Sequence, residues 1–348
     1  MASRSWPTVV DLFSGSGAVT SALKKRRFRV VAAVDSDSVA CATYRANHKS
    51  VHLIQEDICR VDPTKIRDEQ LDGRDLDLLV VCAPCQPFST QNQKRKEDGR
   101  SLLILQTGRF AQALRPRMIF FENVPGIASR GELLEQLRHA LGSDYTLSEP
   151  HKVDAADYGV PQRRVRCIML AVRNGVPPSL PPKTTPAGRR RTVREAIFDL
   201  ARLRSGERDG QDELHIARDH RPIALRRLAA IPKDGGSRSA LPLELQLACH
   251  RAVKSSAYSD VYGRMGWDDV APTLTTGCTD ITRGRFAHPE DDRAITLREA
   301  ALLQTFPSGY RFAGSNADIA TQIGNAVPAQ LIDALTTCFR AGIGGAGT

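Results

Sequence analysis

The chain has 348 residues, 41% hydrophobic and 25% charged, an ordinary globular composition with room for a large domain and a smaller one. Its longest apolar stretch, residues 76–82, is broken by Asp77 and far too short to span a bilayer, and the opening MASRSWPTVVDLF lacks a basic segment followed by an apolar run, so neither a membrane anchor nor a signal peptide is expected. With 49 Lys+Arg against 39 Asp+Glu the net charge is +10, which a polyanionic partner would explain and which a plain basic protein would share.

Residues 8–12 (TVVDL) predict a buried strand, residues 13–17 (FSGSG) a tight turn and residues 18–25 a helix. A second strand over 29–34 ends in Asp35-Ser-Asp37, with a helix following through Tyr44. Further strands are expected at 51–54, 77–82 and 118–122, with a helix around 101–114, so strands and helices alternate as in a parallel, doubly wound sheet. One more strand is expected at 167–172. The proline-rich stretch 174–190 then reads as a linker, and the residues up to about His288 are irregular and rich in Arg, Gly and Ser. Helical patterns resume from Ala294 and over 327–339. The expected division is a catalytic, cofactor-binding domain over 1–172, an inserted domain over 173–292, and a segment over 293–348 that completes the first.

A strand running into Gly15-Ser-Gly17 brings backbone N–H groups and a helix N-terminus close to a ligand, and Asp35, at the end of the next strand, is placed to take ribose hydroxyls. The dinucleotide fingerprint is incomplete, because Thr20 stands where its third glycine would be, and no Gly-Lys-Ser/Thr closes a phosphate loop. A ligand-free turn is the plainer reading of this element alone. Cys85 follows the fourth strand between two prolines (APCQPFS), at the sheet edge where α/β proteins bind ligands. An inert thiol is the usual fate of one cysteine, and Cys82-x-x-Cys85 has no second pair with metal spacing to make a zinc site. The eight cysteines are scattered, which suits a reducing cytoplasm better than a disulfide scaffold. Glu122-Asn123 ends the fifth strand, where a carboxyl can face Cys85 or merely cap a loop. Arg164 and Arg166 alternate, so both should point to one face of the strand they enter.

The ordered set DLFSGSGA, PCQPFS, ENVPG, QRRVR, REAALLQTFP and QIGNAVP resembles the motif series of the bacterial-type DNA (cytosine-5) methyltransferases, in order and over nearly the whole chain. The resemblance implies a Rossmann-like, S-adenosylmethionine-dependent fold with a smaller inserted target-recognition domain at 173–292. It makes Cys85 the nucleophile on C6 of a flipped cytosine, Glu122 the acid at N3 and the exocyclic amine, Asn123 a loop support, and Arg164 and Arg166 the pair holding the base. For the cofactor it implies Phe13, Gly15, Gly17 and Asp35, the adenine-reading Asp57 and Ile58, Pro84 and Leu102 in the pocket, and Asn325 and Val327 from the C-terminal segment. For DNA it implies Arg100 at the end of the loop after the nucleophile and the Thr-Leu element at Thr273; Gln91 and Gln93 in that loop, or residues of the second domain, are candidates to fill the space left by the flipped base, and Arg283 and Arg285 are basic candidates just beyond Thr273. No metal is implied. The expected partner is double-stranded DNA, with the protein acting as a cytoplasmic, nucleoid-associated monomer and a cognate restriction endonuclease as its functional counterpart.

Three residues depart from the family pattern: Asp35 for the usual Glu, Glu56 for a glycine and Cys82 for another. None removes a reacting group. An RNA-acting relative that methylates tRNA, or a catalytically silent DNA-binding protein on the same fold, are the rival readings. The long basic insertion speaks against the first and the full set of reactive residues against the second.

Overall fold

The computed structural model describes residues 6–84, 99–247 and 260–345. They fall into two compact units, one of residues 1–155, 165–184 and 327–348, the other of residues 156–164 and 185–326. These boundaries differ from those expected at 172/173 and 292/293. Most of the proline-rich stretch (174–184) groups with the first unit, and the helical segment 293–326 groups with the second.

The first unit is an eight-stranded sheet in the order β3-β2-β1-β4-β5-β8-β6, with β7 also paired to β8. Strands β1 (Thr8–Leu12), β2 (Arg29–Asp35), β3 (His52–Gln55), β4 (Leu78–Val81) and β5 (Met118–Asn123) pair in parallel. Strand β8 (Val165–Arg173) runs antiparallel to β5, and β6 (Tyr145–Leu147) and β7 (His151–Asp154) run antiparallel to β8. The expected doubly wound, mostly parallel α/β fold is therefore present, with an antiparallel edge.

Every residue of β4 (LLVV) and β5 (MIFFEN) is buried, which is why these strands read as continuous apolar runs rather than alternating ones. Ile119 and Phe121 pack with Ile66 and Leu71 of α3 (Pro63–Leu71), Phe110 and Leu114 of α4 (Thr107–Leu114) and Leu134 and Leu137 of α5 (Gly131–Leu141). Phe120 points to the other face and meets the Phe339 ring at 5.0 Å. That face carries α1 (Ala18–Lys25) and the long helix α10 (Ala329–Gly345), which pack on each other. Between β2 and β3, α2 (Ser38–Asn47) starts where the Asp37 carboxylate accepts the N–H groups of Val39 and Ala40. No helix among the described residues is long and apolar enough to cross a membrane.

The second unit contains α6 (Val193–Ile197), α7 (Pro222–Ala230), α8 (Leu297–Leu303) and α9 (Asn316–Asn325), and its β pairing among the described residues consists of isolated bridges. A small apolar cluster around Leu228, Ile231, Tyr262 and Ile281 is its hydrophobic centre. Arg264 and Arg293 are fully buried beside it.

Candidate active site

The carboxyl ends of β1, β2, β4 and β5 gather the polar residues of the sheet. At β1 the chain turns sharply: Phe13 has φ 58°, Gly15 φ 52° and Gly17 φ 89°. Left-handed backbone favours glycine, and a Cβ on Gly15 would meet nothing within 4 Å, so the turn leaves open space in front of it. The Gly15 N–H donates to Asp35 Oδ2 at 2.7 Å, while Asp35 Oδ1 accepts the Asp37 N–H at 2.9 Å. Each oxygen thus keeps a lone pair for a further donor. Burial raises the Asp35 carboxyl above its usual range, opposed by those two backbone hydrogen bonds. The Ser14 hydroxyl is buried without a hydrogen-bond partner among the described residues. An orphaned hydroxyl, an open glycine face and a carboxylate with spare acceptor sites fit a polar ligand with vicinal hydroxyls, as S-adenosylmethionine is.

Beneath the turn lies a network that sequence reasoning missed. Thr20 Oγ1 donates to the buried Asp11 Oδ2 at 2.8 Å and is 2.8 Å from the Tyr44 hydroxyl. Burial pushes the Asp11 carboxyl up to about 7, against the Thr20 hydrogen bond and with help from the Asp35 charge. A lone acid inside TVVDL was the available signal. Burial, Glu122 and Asp11 also push the Cys82 thiol far above its ordinary value, which keeps it protonated and poor as a nucleophile.

At the end of β5, Glu122 Oε1 pairs with Arg166 Nε at 2.8 Å, both side chains largely shielded from solvent. The pairing follows from register, since Glu122 and Asn123 lie opposite Ile168 and Cys167 on β8, next to Arg166. Asn123 Nδ2 donates to Ala83 O at 3.3 Å, and its Oδ1 accepts the Val124 N–H at 2.8 Å. One side chain thereby ties the β5 end to the segment leaving β4.

Arg164 differs from the expectation that it shares a strand face with Arg166. The strand starts at Val165, and Arg164 belongs to the second compact unit, where its buried guanidinium donates to Leu274 O at 3.0 Å and Gly324 O at 2.8 Å. Arg285 also departs from the expected role. Its guanidinium donates to the carbonyls of Gly235, Gly236 and Arg264 and pairs with Asp260, so it braces loops. Arg283 is exposed, forms no side-chain hydrogen bond or ion pair among the described residues, and lies so close over Gly277 that a Cβ there would come within 2.2 Å of it. Thr273 is exposed and donates to Arg163 O at 2.6 Å.

Among the other expected cofactor residues, Phe13 is half-buried against the core and Ile58 lies within it, while Asp57 is exposed and accepts the Cys59 N–H. Pro84 is half-buried, Leu102 is 51% exposed, Asn325 is exposed at the end of α9 and Val327 is buried. Cys85, Gln91 and Gln93 lie outside the described residues, as does the side chain of Arg100.

Residues 7–339 match the family described as C-5 cytosine-specific DNA methylase. The chain is 39% identical over 331 residues to the Type II methylase M.HgiDII of Herpetosiphon aurantiacus, covering 93% of this chain and 92% of that protein. It is 31% identical over 334 residues to the Type II methyltransferase M.Eco47II of Escherichia coli, covering 93% and 76%. Among solved structures it resembles the Dnmt2 methyltransferase of S. pombe, with TM-score 0.63, 19% identity, and 96% and 98% of the two chains covered; at that identity the likeness speaks for the fold. The chain belongs to the C-5 cytosine-specific DNA methylases. It is a DNA cytosine-5 methyltransferase, and its methyl donor is S-adenosylmethionine.

Proposed function

We propose that the protein methylates a cytosine flipped out of a specific duplex DNA sequence through a covalent adduct between Cys85 and C6. The observation that carries this reading is the paired Glu122–Arg166 end of β5, tied by Asn123 to Ala83, two residues before Cys85. Strands β4 and β5 are in register, Val81 opposite Phe121, so residues 82–84 leave the sheet beside Glu122.

C5 of cytosine is too weak a nucleophile to take a methyl group unaided. The Cys85 thiolate adds to C6, the ring electrons move towards C5 and N3, and Glu122 in its acid form gives N3 a proton. Arg166 holds the Glu122 carboxyl in place for that transfer. S-adenosylmethionine, held at the Gly15–Asp35 turn, would supply an electrophilic methyl to C5 and leave as S-adenosylhomocysteine. A base then removes the C5 proton, the C6–sulfur bond breaks, the thiolate is regenerated, and N3 returns its proton to the Glu122 carboxylate. Extruding the base costs a few kcal/mol, since the reacting atoms are inaccessible in a stacked duplex. Phe13, Gly15, Gly17 and Asp35 are the cofactor's hydroxyl and adenosine contacts in this reading, with Asp57, Ile58, Pro84, Leu102, Asn325 and Val327 around it. Residues 173–292 carry target recognition, Thr273 and Arg283 being the exposed candidates on it. Relatives named Type II methylases point to the modifying partner of a restriction endonuclease as the biological role.

Cys85→Ala should abolish methyl transfer to DNA and retain cofactor binding, while DNA carrying 5-fluorocytosine at the target should trap the wild-type enzyme covalently, because fluorine does not leave as a proton does. Turnover by the alanine variant would sink the mechanism. Glu122→Gln should slow transfer by roughly 10²–10⁴-fold, read by incorporation of labelled methyl. A tRNA substrate outcompeting DNA in the same assay would move the protein to the RNA-acting branch.

A further inference from the structure

Leu274 sits beside Thr273 in an irregular segment, is fully buried, and has its main-chain groups bound by side chains rather than by a ladder. Its N–H donates to Gln162 Oε1 at 3.0 Å and its carbonyl accepts from Arg164 at 3.0 Å. Arg164 also grips Gly324 O, and a Cβ on Gly324 would come within 2.4 Å of the Thr275 backbone, so the two main chains touch there. Gln162 Nε2 donates to Gln304 Oε1, and Gln304 Nε2 donates to Ala326 O. All three side chains are buried. A buried backbone group that loses its partner costs its full desolvation, so Gln162 and Arg164 hold Leu274 in one position, and Gln304 braces Gln162 from behind. The planar fork of Arg164 spans two carbonyls in a way that a lysine ammonium does not reproduce.

We propose that Arg164, Gln162 and Gln304 form a clasp that sets the position of the Thr273–Leu274 element and so decides which DNA sequences are accepted, making Arg164 a positioning residue rather than a holder of the reacting base. This rests on the reading that the exposed residues around Thr273 and Arg283 meet DNA. If the clasp loosens, their offsets from the base edges change, and discrimination falls more than the chemical step does.

The test uses the full-length protein, a plasmid library with randomised sites, and bisulfite sequencing of the methylated product. Wild-type protein should mark one short sequence. Arg164→Met and Gln304→Met should raise methylation of sites differing by one base at least fivefold relative to the cognate site, with Arg164→Lys in between. Lost stability or lost chemistry lowers all sites alike and leaves that ratio unmoved. An unchanged ratio in both methionine variants overturns the proposal, and a uniform fall with Arg164→Met in a protein whose unfolding midpoint is unchanged returns that residue to the chemistry. Should Arg164→Met fail to fold, Gln304→Met, which keeps Arg164, decides alone. Wild-type protein that methylates no DNA would refute the DNA-directed reading itself, before any variant is compared.

Discussion

In the sheet unit the fully buried large side chains include Phe110, Phe120, Phe121 and Phe339, whereas in the second unit the two largest are Arg264 and Arg293. The difference follows from where the backbone hydrogen bonds go. Strands pair their own N–H and C=O groups, so aliphatic and aromatic residues can fill the space between layers. Irregular chain has no ladder, and its buried carbonyls need other donors. Arg264 donates to the carbonyls of Leu228, Ile231, His288 and Asp291 and pairs with Asp292. Arg293 donates to Leu203 O and Ala294 O, and binds both oxygens of the buried Glu299 at 2.8 and 2.9 Å. Irregular chain with buried carbonyls is well served by arginine, which carries five donors and reaches far.

The sharpest way to break this contrast is to remove the charge at the centre. Arg293→Met leaves Glu299 buried and unpaired, and should cost about 3–5 kcal/mol in denaturant unfolding. Adding Glu299→Leu should recover much of that loss, because the isolated carboxylate is then gone as well. A double variant as unstable as the single one would mean that the carbonyl contacts, and not the ion pair, hold the region.

Acidity should separate the two units next. Burial lowers His288 to about 4, and its Nδ1 accepts the N–H groups of Glu290 and Asp291, so the imidazole is neutral and its proximity to Glu299 is no ion pair. A histidine whose folded value lies below its unfolded one of about 6.5 stabilises at neutral pH and loses that contribution as pH falls towards 4, by roughly 3 kcal/mol. Arg293 likewise holds Glu299 below the usual carboxylate range against burial, and that contribution disappears at still lower pH. In the sheet unit Asp11 works the opposite way, since an acid raised to about 7 favours the folded state more as pH falls from 7 to 4. His48, lowered to about 4 by burial, partly offsets Asp11 within that unit. Hydrogen exchange at pH 4.5 should therefore show residues 264–304 losing protection before β1, β4 and β5. Equal loss in both, or the reverse order, would remove the contrast.

The smallest effect concerns a helix end. Thr192 and Glu195 form a reciprocal capping box at α6, the Thr192 side chain accepting from Glu195 N and the Glu195 side chain accepting from Thr192 N. Thr192→Ala should cost about 1 kcal/mol in thermal unfolding, well below the cost of touching Arg293. A larger loss would make local helix ends, rather than buried ions, the main support of this unit.

The same contrast governs what could be read from the sequence. All five parallel strands were legible, four of them as short, mostly apolar runs bounded by turn residues, while β3 (HLIQ) has only two apolar residues; the motif series placed Glu122 and Asn123 at a strand end, where they stand. Strand β8 was legible at 167–172, whereas β6 and β7, with three and four residues and no period, went unseen, and with them the antiparallel direction of that edge. The surroundings of Arg164 were illegible for another reason. Its partner carbonyls lie 110 and 160 residues further along, and carbonyls leave no residue-type signal in a sequence. Arg283 and Arg285 look alike in the chain, yet only geometry separates the arginine that braces loops from the one left exposed.

Helix α10 covers the face of β5 through Phe339 and packs on α1, and the Asp333 carboxylate grips Arg26. The layer that closes the sheet on this side is therefore translated after nearly everything it covers, with the whole of the second unit made in between. While the nascent chain grows, Phe120 and the apolar side of α1 wait uncovered, an aggregation hazard until the ribosome delivers residues 329–345. The sheet layer is therefore complete only once residues 329–345 have been made and have packed against β5 and α1.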